Sequence, residues 1–173
     1  MPARTAKASS SPKKASNARA GRKTNALTLL KNDHEEVSAL FEKYEKGRKR
    51  ADATRKESLA SQICQALTVH AQIEEEIFYP ACREEVEGAE DLLAEAKVEH
   101  QSLKKLSAKI ESEQPGTEEY DAQVKVLGEY VKHHVKEEQN ELFPMVRKSD
   151  LDVEEVGQLL SERKVELMGE MAQ

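Results

Sequence analysis

Tryptophan is missing from this chain, and three Phe and four Tyr are the only aromatic residues it has. So few rings argue against a β-sandwich or barrel, whose strands lean on aromatic and β-branched side chains. Glycine and proline are also scarce, at seven and five residues, which leaves too few turn signals to punctuate many short strands. The two cysteines, Cys64 and Cys82, are too few for a disulfide framework and lack the C-x2-C spacing of a thiolate metal site. A reducing, cytoplasmic setting is the expectation. No run of 18 apolar residues exists, and no apolar signal core stands near the N-terminus. The expectation is therefore neither a membrane span nor export.

What the chain has in excess is charge, 35% of its 173 residues. The net charge of −6 is unevenly divided: residues 1–24 hold seven Lys and Arg and no acid, so the remaining 149 carry −13. That basic stretch has no large apolar side chain after Met1, and cannot bury enough surface to offset the entropy of ordering. A disordered tail is expected over 1–24, with the folded unit over 25–173. A +7 segment attracts nucleic acid or an acidic protein; it can equally solubilise the chain or lie on its own acidic body.

Apolar residues in the folded part recur at three- and four-residue spacing, which predicts helices. Leu27, Leu30, His34, Val37, Phe41 and Tyr44 mark a first helix over about 27–46; Leu59, Ile63, Leu67, His70, Glu74 and Ile77 mark a second over about 54–79. Pro80 is expected to break or kink that second helix. Leu93, Ala96, His100, Leu103 and Ile110 give a third. After the loop Ser112–Gly116, Thr117 can cap a fourth that aligns Val124, Leu127, Val131, His134, Glu138 and Leu142. A final helix carries Val153, Val156, Leu160 and Leu167, and its expected role is to cover one end or side of the bundle, with dimerisation as the alternative. The expected fold is all-α: an antiparallel up-down four-helix bundle with an extra C-terminal helix.

Every one of the first four stripes contains a histidine, and two contain a carboxylate. The stretch from His70 to Pro80 reads H-x3-E-x5-P, and the same pattern returns 64 residues later from His134 to Pro144. Residues four apart lie one above the other on a helix, so each copy presents an imidazole beside a carboxylate. Upstream, Asp33-His34 and Glu99-His100 repeat an acid followed by a histidine. The chain thus reads as two copies of a helix pair, each with one bare His and one His-x3-Glu. A buried carboxylate such as Glu74 demands a cation or a proton. Glu75 and Glu76 point off the stripe and are expected to be solvated. His133 with Glu137 is the competing register for the second copy, but the stripe and the 64-residue offset favour His134 with Glu138.

The order His, His-x3-Glu, His, His-x3-Glu, with Phe and Pro after each Glu, resembles the hemerythrin-like or HHE cation-binding family. That resemblance implies a carboxylate-bridged diiron centre, two Fe ions held by His34, His70, Glu74, His100, His134 and Glu138. It also implies binding or sensing of O2, peroxide or NO, or iron buffering, in a stress-protective role. Oxygen-carrying members have a further histidine four residues after the first on the third helix, where this chain has Lys104. A protonated lysine cannot ligate, so a coordination position open to water or an exogenous ligand is expected. No separate acid, base or substrate pocket names a reaction, and turnover stays open. The reading from another class is a metal-responsive module whose basic tail contacts nucleic acid or an acidic protein.

Overall fold

The computed structural model describes residues 24–171, and the expectations for the N-terminal tail lie outside them. Among the described residues every regular element is helical. Helix α1 spans Ala26–Gly47 and α2 spans Ala53–Ile73, continuing through a π-helical turn, Glu74–Phe78, into α3, Tyr79–Glu85. Then come α4, Glu90–Ser112, and α5, Glu118–Glu137; a second π-helical turn, Glu138–Leu142, leads from α5 into α6, Phe143–Val146. Helix α7, Val153–Met171, closes the described chain.

The helix starts follow from capping chemistry. Asn25 accepts from the Thr28 amide, Asp52 from Arg55, Thr117 from Tyr120, and Asp152 from both Glu154 and Glu155, satisfying amides that have no intrahelical partner. Two turns use glycine in the left-handed region, Gly88 at φ 78° and Gly116 at φ 89°.

Helices α1, α2, α4 and α5 form the bundle in antiparallel order, and α7 lies along α1 and α2. The apolar stripes build two separate clusters. One holds Leu30, Ile73, Leu93, Leu142, Phe78 and Phe143; the other holds Val37, Leu67, Leu103, Val131, Ile63 and Leu127. On each bundle helix one histidine stands between a residue of the first cluster and a residue of the second. A polar layer therefore crosses the bundle, sealed by hydrocarbon above and below.

Of the break or kink expected at Pro80, the break does not occur, and the helix runs on to Glu85. In a regular α-helix Pro80 would leave the carbonyl four residues back without its donor. The preceding π-helical turn shifts the register, with Tyr79 N–H donating to the Glu74 carbonyl five residues back, and Pro80 sits at the start of the resumed α-helix. Pro144 repeats the arrangement: Phe143 N–H donates to the Glu138 carbonyl.

Candidate metal centre

All six predicted residues meet in the polar layer. His34, His70, His100 and His134 are 1–5% exposed, Glu74 is 0% and Glu138 4%. The four imidazoles turn their Nε2 atoms inward as two pairs: His34 and His70 are 2.9 Å apart, His100 and His134 3.2 Å. Glu74 lies between the pairs, with Oε1 3.2 Å from His70 Nε2 and Oε2 3.3 Å from His100 Nε2. Its two oxygens thus face different imidazole pairs. Glu138 Oε2 is 3.2 Å from His34 Nε2.

The layer is rich in lone pairs and poor in donors. Glu74 Oε1, both Glu138 carboxylate oxygens and His70 Nδ1 are buried without a hydrogen-bond partner. Orphaned buried groups of this kind cost about 1–3 kcal/mol each, so so many in one layer call for a compensating charge. Protonation gives the same message. Burial alone would lower the His70 imidazolium, yet Glu74, Asp33 and Glu138 outweigh it and hold its pKa up at about 10. Burial would raise the Glu74 carboxyl, and His70 and His100 hold it well below the usual range. Without a cation, protons must occupy the layer; the donor set fits cations that would replace them.

A ring of outer groups meets the imidazole Nδ1 atoms, and sequence reasoning missed it. His134 Nδ1–H donates to Glu99 Oε2 at 2.8 Å and His100 Nδ1–H to Glu75 Oε1 at 3.1 Å. Asp33 Oδ2 is 3.6 Å from His70 Nδ1, too far for a hydrogen bond, and Lys164 of α7 donates to its other oxygen at 2.6 Å. The Gln139 amide stands 2.9 Å from His34 Nδ1 and, turned over, offers its oxygen as acceptor. Such partners fix the tautomer with a lone pair on Nε2, the state in which imidazole ligates. The acids of the Asp33-His34 and Glu99-His100 repeat were visible in the sequence; that each serves the histidine of a neighbouring helix was not.

Glu75 corrects the expectation of simple solvation. It binds His100 and is clamped by Lys104 Nζ at 2.6 Å. Lys104 therefore points to the outer ring. Glu76 is solvent-facing but paired with Arg163 of α7 at 2.7 Å. His133 is exposed, as expected for the off-stripe register. A further group, Tyr79, places its hydroxyl 3.3 Å from Glu74 Oε2 and 3.4 Å from His100 Nε2. Burial, then Glu138 and Glu74, push its pKa well above the usual phenol value, so it remains a donor. Its counterpart 64 residues on is Phe143, whose ring stacks on His34 with centroids 6.2 Å apart.

Comparison with known proteins agrees with this architecture. The fold resembles a crystal structure of a hemerythrin HHE cation binding domain-containing protein from Mycobacterium kansasii, with a TM-score of 0.69 and 22% identity, over 84% of this chain and 88% of that one. A curated relative from a Nostoc strain, named a DNA nickase, is 29% identical over 140 residues, 81% of this chain. The chain spans 38% of that relative's length. Residues 25–146 match the hemerythrin HHE cation binding domain as a whole, and the chain belongs to that family.

Proposed function

We propose that this protein is a non-haem diiron protein that binds or senses O2, peroxide or NO, or buffers iron, in a stress-protective role. One observation carries the reading: Glu74, fully buried, turns one oxygen to the His34/His70 pair and the other to the His100/His134 pair. A carboxylate so divided suits two cations better than one. His34, His70 and Glu138 would serve the first, His100 and His134 the second, with Glu74 shared. Iron held there supplies reversible one-electron chemistry and affinity for small oxidants and diatomic gases.

The chain itself does the rest. Glu75, Glu99 and Gln139 orient their imidazoles, Asp33 sets a negative charge 3.6 Å from His70 Nδ1, and the apolar clusters on either side exclude bulk water. Tyr79 offers a hydroxyl proton beside Glu74 Oε2 and His100. The test is metal content of iron-replete protein together with its visible spectrum before and after anaerobic reduction and re-exposure to air. Two irons per chain, with charge-transfer bands that bleach and return, are expected. Zinc, a single metal or none would overturn the reading.

A second reading draws on the relative named a DNA nickase and on the seven cations of residues 1–24. The centre is too deeply buried to meet a polynucleotide, so any nucleic-acid contact falls to the exterior and the tail. Binding to duplex DNA that weakens steeply with salt and disappears on deleting residues 1–24 is the expected signature. Full-length protein that does not bind at low salt disposes of it.

A further inference from the structure

On the solvent side of α4 and α5, one imidazole away from the buried layer, stands a separate group of donors. His133 Nε2 is 3.1 Å from Glu137 Oε1 and 3.4 Å from Glu99 Oε1. The donor atoms of all three residues lie within 4.8 Å of one another. Tetrahedral donors each about 2.1 Å from one cation stand roughly 3.4 Å apart, so little movement would be needed. Glu99 is divided between two duties: Oε2 accepts from His134 Nδ1, while Oε1 faces His133.

Two hollows lie beside this group and share Glu99 and Glu137 in their walls. An open depression of about 480 Å³ is lined by Ala94, Glu95, Val98, Glu99, His133 and Glu137, with no lysine or arginine among them. Glu99 and Glu137 also line a slot of about 10 Å³ whose inner wall includes His134 and Glu138, room for about one water molecule. Glu138 marks where the slot leads, because it is one of the six inner donors and no part of the surface group. Its side chain is buried, neither oxygen makes a hydrogen bond although Oε2 lies 3.2 Å from His34 Nε2, and it lines the slot.

We propose that Glu99, His133 and Glu137 form a second, solvent-facing site for a divalent first-row cation, and that Fe2+ enters the buried centre from it through the slot lined by Glu137 and Glu138. An imidazole with two carboxylates suits Fe2+, Mn2+, Co2+ or Zn2+. The open side keeps the cation hydrated and exchangeable, whereas the closed layer holds it. Only the destination rests on the diiron reading; the surface site itself does not.

The test compares the full-length protein with the double variant His133→Ala, Glu137→Gln, which leaves all six inner donors in place. Mn2+ binding, read from loss of the free-ion electron paramagnetic resonance signal, should fall by one equivalent per chain in the variant. Anaerobic Fe2+ uptake at limiting iron should start about tenfold more slowly in the variant, the size of effect that charge focusing gives, and reach the same final iron content. Equal Mn2+ counts overturn the site, and equal initial rates overturn its role as an entrance. A wild-type chain that takes up no iron yet binds the extra Mn2+ sinks the diiron reading and leaves the surface site standing.

Discussion

Replacing Glu138 with Gln should move stability in opposite directions with and without metal. In the metal-free chain both Glu138 oxygens are buried and unpartnered, and a buried unsatisfied group costs about 1–3 kcal/mol. The isosteric amide removes the charge and can donate to His34 Nε2, which lies 3.2 Å from Glu138 Oε2. A gain of about 2 kcal/mol corresponds to roughly 4–8 °C in Tm for a chain of this length. With iron the sign reverses. A cation at a hundredfold excess over its dissociation constant stabilises the fold by about 2.7 kcal/mol, and the variant forfeits that by losing a ligand. The assay is thermal unfolding of both proteins after exhaustive chelation and again after iron loading, with iron counted in each sample. Equal destabilisation in both states, with undiminished iron, would mean that Glu138 is held by the protein alone, and would refute the argument.

Three further outcomes are expected. At the far end of the bundle Asp121 accepts from Tyr44 at 2.8 Å and from the buried Lys56 at 2.7 Å; Asp121→Ala should cost about 3 kcal/mol by stranding the ammonium, and adding Lys56→Met should recover most of it in urea titrations. Burial pushes the Cys64 thiol up to about 11 and Cys82 up to about 12 from the ordinary 9.0, so neither should react with Ellman's reagent at a pH near 8 until the chain unfolds. Because the unfolded thiols release protons first, stability should fall as pH rises from about 9 through these folded values. Gly157→Ala would drive its Cβ into the Thr24 carbonyl oxygen and to 2.6 Å from the Ala26 amide nitrogen; about 1–3 kcal/mol of overpacking should lower Tm and speed proteolysis of α7.

That these six side chains would meet was legible because the signal is local: the i, i+4 spacing of His70 with Glu74 and His134 with Glu138, and the apolar stripes that hold His34 and His100, need no tertiary knowledge. What lay beyond was lost for two physical reasons. The first is phase. A constant helical period places Ile77 on the inner stripe, but the π-helical turn adds a residue, so Phe78 is fully buried and Ile77 only partly so. The same shift brings Tyr79 over Glu74, five residues apart, a pairing no α-helical pattern contains. The second is that the outer ring is made between helices. Asp33 with His70, Glu75 with His100, and Lys164 with Asp33 depend on packing angles that no single segment encodes. Pro80 and Pro144 were visible as anomalies, and each marks a π-helical turn.

The substitution of Phe143 for Tyr79 across the internal repeat bears on how such a chain could be shortened. A homodimer of the first helix pair alone would supply all six donors, two bare histidines and two His-x3-Glu pairs. It would also place a phenol beside both bare histidines, duplicate Asp33 and Glu75, and omit Lys164 with the rest of α7. Fusing two copies in one chain removes that enforced equality. One half can then keep an oxygen at the ring position while the other keeps bare hydrocarbon, and the two imidazole pairs that Glu74 faces come to have surroundings that no self-paired half could make different.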